Sequence, residues 1–293
     1  MPGEKAKNLL KLLLKIVVTV VCLWYISKKI NWNETLNLVL ESNPVWLVVS
    51  VLLFTVSKII SSFRLNIYFK NMGVQLTEKN NLKLYWLGMF YNLFLPGSIS
   101  GDAYKVILLN RKHKYSVKLL SAAVLLDRVS GVMGLGILAV IYYFLIHRGA
   151  QYSDWALIAL VPGIVIYYFF VKKVFPTFLP GIWKTFWLGL AVQGIIVLCA
   201  YCIMEGLHIA ESHEAYILIF LFSSLVAILP LSIGGGLGIR EFAFVSASKV
   251  FALDQHHAVA ISLLYYFVIL INSVVGVRWV YKDPLEEVVR DKK

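Results

Sequence analysis

The stretch NLFLPGSISGDAYK at residues 92–105 interrupts a long apolar segment, and ILPLSIGGGLGIRE at residues 228–241 interrupts a second one in the same way. Both contain Leu-Pro-x-Ser-Ile-x-Gly, and both continue into a basic residue. Proline removes a backbone donor and glycine relaxes the backbone, so neither segment continues as one ideal helix. Because unpaired backbone groups cannot face lipid, such a break is tolerated only where it is buried in protein or lines a polar cavity.

The composition places most of the chain in a bilayer. Of the 293 residues, 59% are hydrophobic and 15% are charged, whereas an ordinary soluble domain is about half apolar and about a quarter charged. The net charge is +12, but the cations stand in short loops between apolar runs, as the positive-inside rule describes. This distribution favours anionic lipid headgroups as partners and argues against nucleic acid.

Six apolar runs approach the roughly 20 residues that a spanning helix needs. They lie at about 9–28, 45–63, 119–146, 155–171, 185–204 and 258–281. The first lacks a small-x-small cleavage site, so we expect a retained helix rather than a cleaved signal peptide. Two shorter runs, at about 84–95 and 215–229, end at the breaks and lead into second helical stretches at 102–110 and 239–252. The sequence predicts an all-α integral membrane protein with about six spanning helices and two broken-helix hairpins, with eight crossings as the alternative.

Loop charges predict the direction of each hairpin. The first break is flanked by basic segments at 64–83 and 105–118, so its hairpin is expected to enter and leave by the cytoplasmic face. The second is flanked by 205–214 and 253–257, which contain no Lys or Arg, so its hairpin is expected to enter from outside. A lysine-rich N-terminus and a basic C-terminus predict that both termini are cytoplasmic, in a multi-pass protein of the cytoplasmic membrane.

Three predicted crossings separate the two breaks, so the hairpins should point into the membrane from opposite faces. This arrangement predicts an inverted repeat within one polytopic domain, 1–293, although chance similarity of two proline breaks is the alternative. Repeat 1 covers about 45–146 with hairpin 84–110, and repeat 2 covers about 185–281 with hairpin 215–252. Inverted-repeat transporters bind substrate near the midplane, where discontinuous helices meet. The candidate hinge and turn residues are Pro96, Gly97, Gly101, Pro230, Gly234, Gly235, Gly236 and Gly238.

Ionisable residues inside apolar runs are costly and are usually paired or functional. The candidates are Arg64, Asp102, Lys105, Asp127, Arg128, Arg240 and Glu241. Adjacent helical residues point about 100° apart, so Asp127 and Arg128 should each find a partner elsewhere, across helices being one possibility, and the same holds for Arg240 and Glu241. Two interpretations stay open: an ion-pair network that holds the hairpins, or a site whose cations receive an anionic headgroup, since arginine engages phosphate bidentately.

No pattern predicts a cofactor, a metal site or a catalytic group. The glycine clusters lack a preceding strand and a GK[ST] sequence, so they favour close helix packing and tight turns over nucleotide binding. Cys199 and Cys202 form a single CxxC within an apolar run and are expected to be packing residues. The His256-His257 pair lacks a carboxylate or thiolate at metal-ligand spacing.

The segments NLFLPGSISGDAYKV, LLDRVSGVMGL and ILPLSIGGGLGIREFAF resemble the lysylphosphatidylglycerol synthase transmembrane-region family. The family pattern matches Pro96, Gly97, Gly101, Asp102, Lys105, Asp127, Arg128, Gly235, Gly236, Gly238, Arg240 and Glu241, and Arg64 resembles a further family arginine. Lys105 stands where arginine is more usual. The resemblance implies a non-enzymatic, flippase-like protein that moves an anionic, zwitterionic or polyprenyl-linked lipid between leaflets.

The soluble aminoacyl-transferase domain of the full-length synthases is not recognisable in this sequence, so aminoacyl-lipid synthesis is not expected. The alternatives are a membrane partner of a separate synthase and an intramembrane enzyme with Asp102 or Asp127 as acid or base. A polar solute transporter is disfavoured by the small number of membrane-embedded Asn and Gln residues. The lipid, the direction and the energy source do not follow from the sequence.

Overall fold

The computed structural model describes residues 13, 16, 17, 19–95, 99–150, 153–228 and 236–285. Within these ranges the chain forms helices and turns and no strand, which confirms the all-α integral membrane fold. The helices are α1 (described over 19–27), α2 (Trp32–Leu40), α3 (Pro44–Asn71), α4 (Glu78–Phe94), α5 (Ser100–His113), α6 (Val117–Ile146), α7 (Ser153–Ile158), α8 (Leu160–Val174), α9 (Ile182–Gly206), α10 (His213–Ile228), α11 (Ile239–Val250), α12 (Gln255–Val274) and α13 (Arg278–Tyr281). Short 3-10 turns at Pro176–Gly181 and Val275–Val277 precede α9 and follow α12.

Five helical segments in the described part of the chain are long and apolar enough to cross a membrane. They are Pro44–Asn71, Val117–Ile146, Ser153–Val174, Pro176–Gly206 and Gln255–Tyr281. These match five of the six predicted spans. The other prediction, at about 9–28, falls partly outside the described residues.

Two helices extend well beyond the apolar runs that predicted them, because their polar residues have partners inside the protein. α3 was expected to end near residue 63, but it continues to Asn71, and Asn66 within this extension donates to the carbonyl of Leu76. α4 begins at Glu78 rather than near residue 84. Thr77 caps its N-terminus, and Asn81 in its first turn donates to Ser62 on α3.

The two breaks each join a pair of short helices that pack against one another, α4 with α5 and α10 with α11. These helices have 17, 14, 16 and 12 residues, and a spanning helix needs about 20. Their lengths favour hairpins over the eight-crossing alternative. Each pair lies in sequence between two candidate spans, and three candidate spans separate the pairs. The inverted relation of the two repeats stays a prediction.

The two helices of the first pair, α4 and α5, are held together by a backbone contact and by a side-chain cap. Gly101 lies in the first turn of α5 rather than in the connecting turn, and a Cβ there would collide with the backbone oxygen of Gly88 on α4. Asn92 at the end of α4 accepts a hydrogen bond from the Gly101 backbone N–H at 2.8 Å. Gly101 therefore permits close approach of two helices, which small residues allow in membranes.

In the second pair, the predicted turn glycines precede α11. Gly236 has a φ of 106° and Gly238 has a φ of 83°, a region that glycine enters without steric cost. The predicted hinge residues Pro96, Gly97, Pro230, Gly234 and Gly235 lie outside the described residues.

The helices differ in how much of their surface the protein covers. In the most apolar windows of the spans that contain α9 and α12, 50% and 56% of the residues are buried, but only 11% are in Ser153–Val174. α9 packs against both α3 and α6, so it is central, whereas α7 and α8 are peripheral. At the α6–α9 crossing, a Cβ on Gly134 would come within 2.9 Å of the Gly189 carbonyl oxygen, which confirms close packing at this glycine.

Candidate functional site

A cavity of about 190 Å³ lies among α3, α4, α5, α6 and α9, and we call it the paired cavity. Five of the seven predicted site residues line it, namely Arg64, Asp102, Lys105, Asp127 and Arg128. Its other walls are formed by Tyr85, Met89, Asn92, Gly131, Val132, Gln193 and Ile228. Residues distant in sequence therefore meet at one site.

The two carboxylates of the paired cavity each bind cations from other positions. Asp127 accepts from Arg64 Nε at 2.7 Å, joining α6 to α3. Asp102 accepts from Lys105 Nζ at 3.0 Å and, through its other oxygen, from Arg128 Nε at 2.6 Å, joining α5 to α6. The adjacent residues Asp127 and Arg128 thus find separate partners, as predicted from their angular separation, and both partners lie on other helices.

Glycines make room for these cations. A Cβ on Gly88 would strike the aliphatic part of Lys105, so the bare backbone of α4 accommodates that side chain. The Arg64 guanidinium lies beside two more glycines, since a Cβ on Gly131 or Gly189 would come within 3.8 or 3.3 Å of Arg64 Nη1. The ion pairs of the paired cavity therefore depend on close contacts between α3, α6 and α9.

The paired cavity has three cations and two carboxylates. Arg64, Asp102 and Lys105 are almost completely buried, with 4%, 6% and 3% of their surfaces exposed. Buried charges are tolerated when they are paired and hydrogen-bonded. Arg64 Nη1 is buried and has no hydrogen-bond partner among the described residues, so this guanidinium keeps donor capacity beyond its bond to Asp127.

A second cavity of about 270 Å³ adjoins the first, and it shares Tyr85, Met89 and Asn92 with it. Its remaining lining residues are Phe54, Lys58, Leu93, Arg240, Tyr265, Ile269 and Ser273. None of the described lining residues is Asp or Glu, so we call it the carboxylate-free cavity. The structure thus places the predicted residue Arg240 in a different cavity from the other cations.

Both cations of the carboxylate-free cavity lie against aromatic rings. The Arg240 guanidinium carbon lies 4.8 Å from the centroid of the Tyr265 ring, and Lys58 Nζ lies 4.3 Å from that of Phe54. Cation–π contacts attract without neutralising the charge. Arg240 Nε is buried and has no hydrogen-bond partner among the described residues.

Glu241, the seventh predicted residue, lines neither cavity. Its carboxylate accepts from the Gly238 backbone N–H at 2.6 Å and from Ser262 Oγ at 2.7 Å. The first bond is the reciprocal half of a capping box at the start of α11, and the second ties α11 to α12. Arg240 and Glu241 therefore find different partners, as predicted.

Among the lining residues that sequence reasoning missed, Lys58 and Asn92 stand out by their charge and hydrogen bonding. Lys58 is the only charged residue in the predicted span 45–63, and the rule that intramembrane charges are functional or paired would have identified it. Asn92 precedes the first Leu-Pro by two residues, and its roles in capping α5 and lining both cavities depend on how the hairpin folds back.

In the described part of the chain, no three His, Cys, Asp or Glu side chains form a group that could hold a metal ion. Cys199 is buried and free, and its Sγ donates to the Ser50 carbonyl at 3.3 Å. This contact fits a packing role at the α3–α9 interface.

A comparison with protein families adds independent information on the chain. The model of the lysylphosphatidylglycerol synthase TM region matches residues 12–276. The chain belongs to this family. No curated protein matches the chain. Family membership and the apolar helices together support a multi-pass membrane protein with a membrane-lipid-related function.

Proposed function

We propose that this member of the lysylphosphatidylglycerol synthase TM family moves lipid headgroups between the leaflets of the cytoplasmic membrane, with both termini in the cytoplasm. The substrate is an anionic or zwitterionic phospholipid, or a lipid-linked headgroup. The observation that carries the proposal is the pair of adjacent cavities, lined by buried charges within an otherwise apolar helical body.

The proposal follows from the cost of moving a charged headgroup through hydrocarbon. A charged side chain at the bilayer centre costs at least about 2.5–3.5 kcal/mol, and a charged headgroup meets a barrier of the same physical origin. Fixed charges and polar walls lower this barrier by replacing part of the headgroup's hydration. The two cavities adjoin at Tyr85, Met89 and Asn92, and in this proposal a headgroup leaving one enters the other past these side chains.

The exposed apolar faces of the spans support the path proposed for the acyl chains. Val48, Leu52 and Val56 on α3 and Val161 on α8 are all more than 40% exposed. Such surface is unfavourable in water and favourable against lipid tails. In this proposal the headgroup passes through the cavities while the tails stay in the bilayer.

Movement is proposed to be passive or coupled to an ion gradient, since the sequence contains no nucleotide-binding motif. In the coupled version Asp127 or Glu241 carries the proton, and protonation of Asp127 would release its bond to Arg64. Asp127→Asn should then abolish dependence on a pH gradient in a folded protein. Gradient dependence that survives this substitution would contradict the coupled version.

The test is leaflet accessibility of reporter lipids in vesicles that contain the purified protein. Fluorescent phosphatidylglycerol, phosphatidylethanolamine and a polyprenyl phosphate are bleached by a membrane-impermeant reductant, with and without a pH gradient. Wild type should expose inner-leaflet reporter faster than protein-free vesicles, and the double variant Arg128→Ala plus Arg240→Ala should not.

Gly136→Ala is a matched control, since its Cβ would meet no atom within 4 Å, and it should transport like wild type. If wild type moves no reporter in either condition, the translocation proposal fails. Mass spectrometry of the same vesicles then tests the enzyme alternative by looking for an altered lipid. Co-purification of a synthase would favour the partner alternative.

A further inference from the structure

The two cavities differ in how their positive charge is balanced. In the paired cavity each carboxylate binds at least one cation at 3.0 Å or less. In the carboxylate-free cavity, Lys58 and Arg240 make no ion pair with any described residue. The charges that attract an anion most strongly are therefore those of the second cavity.

Lys58 is held near the middle of α3, far from either end of the helix. Its Nζ lies against the Phe54 ring, and apart from Arg240 the other residues that line this cavity, such as Tyr85 and Ser273, are uncharged. An intramembrane lysine without an ion-pair partner is unfavourable unless it has a ligand or water. Its position on a central spanning helix therefore needs an explanation that packing does not supply.

Arg240 contributes the second charge from the first turn of α11. It is 7% exposed, and its Nε has no hydrogen-bond partner among the described residues. The Arg240 guanidinium lies against the Tyr265 ring, and this cation–π contact uses none of the N–H donors of the guanidinium. A planar guanidinium with unused donors is suited to a tetrahedral oxyanion.

We propose that Lys58 and Arg240 together bind the phosphate group of the transported lipid in the carboxylate-free cavity. The inference deepens the proposed function and rests on it. Phosphate fits this pair because its non-bridging oxygens can accept from Lys58 and Arg240 at once. Two cations from separate helices match the charge of a phosphate ester better than they match a neutral sugar.

The proposed ligand would join two parts of the fold. Lys58 belongs to α3, the span before the first helix pair, whereas Arg240 begins the second limb of the second pair. A phosphate held by both links these elements. A phosphate that moves past Tyr85 and Asn92 into the paired cavity leaves Lys58 and Arg240. It then meets the cations of the paired cavity, whose charge is partly balanced by two carboxylates.

The test is binding in detergent, which does not require transport. The probes are dihexanoylphosphatidylglycerol, inorganic phosphate and, as a neutral comparison, glucosyl-dihexanoylglycerol. Affinity is measured by isothermal calorimetry on wild type, Lys58→Gln, Lys58→Arg and Arg240→Gln. Lys70→Gln is the matched control on the same helix, because Lys70 is exposed and pairs with Glu78 outside both cavities.

Wild type should bind the phosphatidylglycerol probe, and Lys58→Gln and Arg240→Gln should each weaken binding by about tenfold or more, the loss of one charge-assisted hydrogen bond. Lys58→Arg and Lys70→Gln should bind within about threefold of wild type, below one such bond. Parallel weakening of inorganic phosphate binding shows that the free anion suffices. Weaker binding of the lipid probe alone shows that the site needs the phosphate ester.

Two results would overturn the inference. One is equal binding of the glucosyl and phosphatidyl probes by wild type, and the other is unchanged binding in Lys58→Gln. The proposed function can fail separately. If vesicles show no lipid movement while the binding differences hold, the phosphate site stands and translocation does not.

Discussion

Asp127 finds its cation on another helix rather than at the next position along the chain. The Arg64–Asp127 contact is short and almost fully buried. Removing one member of such a pair leaves an uncompensated charge, whereas replacing both with apolar residues is often neutral or stabilising. The pair therefore contributes more to which helices meet than to net stability.

Arg64→Leu is expected to lower stability by about 3–5 kcal/mol, because it leaves Asp127 buried without its guanidinium. The double variant Arg64→Leu plus Asp127→Leu should recover most of this loss. The measurement is unfolding of the purified protein in a fixed detergent. Lys70→Leu, which breaks an exposed pair with Glu78, should cost less than about 1 kcal/mol. A double variant as unstable as Arg64→Leu would contradict this account of the pair.

The sequence was informative about which charges would be buried and less so about what they bind. Adjacency alone predicted that Asp127 and Arg128 would separate, because helix geometry fixes the angle between neighbours. It could not predict that Asp102 binds two cations, since this depends on how α5 lies against α6. Lys58 was missed because one charge hardly lowers the average hydropathy of a long apolar run.

The first helix pair depends on a glycine contact between its two helices. Gly101 was predicted as a hinge, and it lies within α5 where it meets the backbone of α4. The chain order of the helices followed from apolar runs and Leu-Pro breaks. Their ends did not, because Thr77 and Asn66 extend helices through polar sequence by finding caps and buried partners.

Gly101→Ala is expected to separate α5 from α4, because its Cβ would collide with the Gly88 carbonyl oxygen. Overpacking of this kind costs about 1–3 kcal/mol, and the shift should also weaken the Asp102 contacts that α5 positions. Limited proteolysis and unfolding in detergent measure the effect. Gly194→Ala on α9 is the control, since its Cβ meets no atom within 4 Å. Equal stability of the two variants would show that the close approach is unimportant.

Gly134 and Gly136 offer a sharper comparison within one helix. Gly134→Leu should disrupt the α6–α9 crossing, because the added side chain would meet the Gly189 carbonyl and the Gln193 side chain. Gly136→Leu should be tolerated, since no atom lies within 4 Å of its Cβ position. The melting temperature of each purified variant is the measurement. A larger loss for Gly136→Leu than for Gly134→Leu would contradict the observed packing.

The order span, helix pair, span occurs twice in the chain, once before α7 and once after α8. This repeated order is the basis of the predicted inverted repeat. Three candidate spans separate the pairs, and an odd number of crossings would send the pairs into the bilayer from opposite faces. The charge of the flanking loops predicted the same result from independent residues.

Single cysteines test the predicted orientation. In a variant without Cys22, Cys199 and Cys202, cysteines replace Gln75 and Lys118, which flank the first helix pair. Others replace His208 and Ala252, which flank the second. In intact cells an impermeant maleimide should label only the second set, and permeabilisation should expose the first. Labelling of all four from one side would contradict the inverted repeat.

The most direct test of a headgroup path through the two cavities is to block the path at a residue that lines both of them. Met89 lines both cavities, so Met89→Cys in the cysteine-free background places a reactive thiol between them. Leaflet exchange of fluorescent phosphatidylglycerol is measured before and after modification by a bulky maleimide, with the extent of modification read by mass spectrometry. His208→Cys, in an exposed loop, is the control. We predict that complete modification at residue 89 stops exchange and that modification at residue 208 leaves it unchanged; unaltered exchange in fully modified Met89→Cys protein would contradict the path.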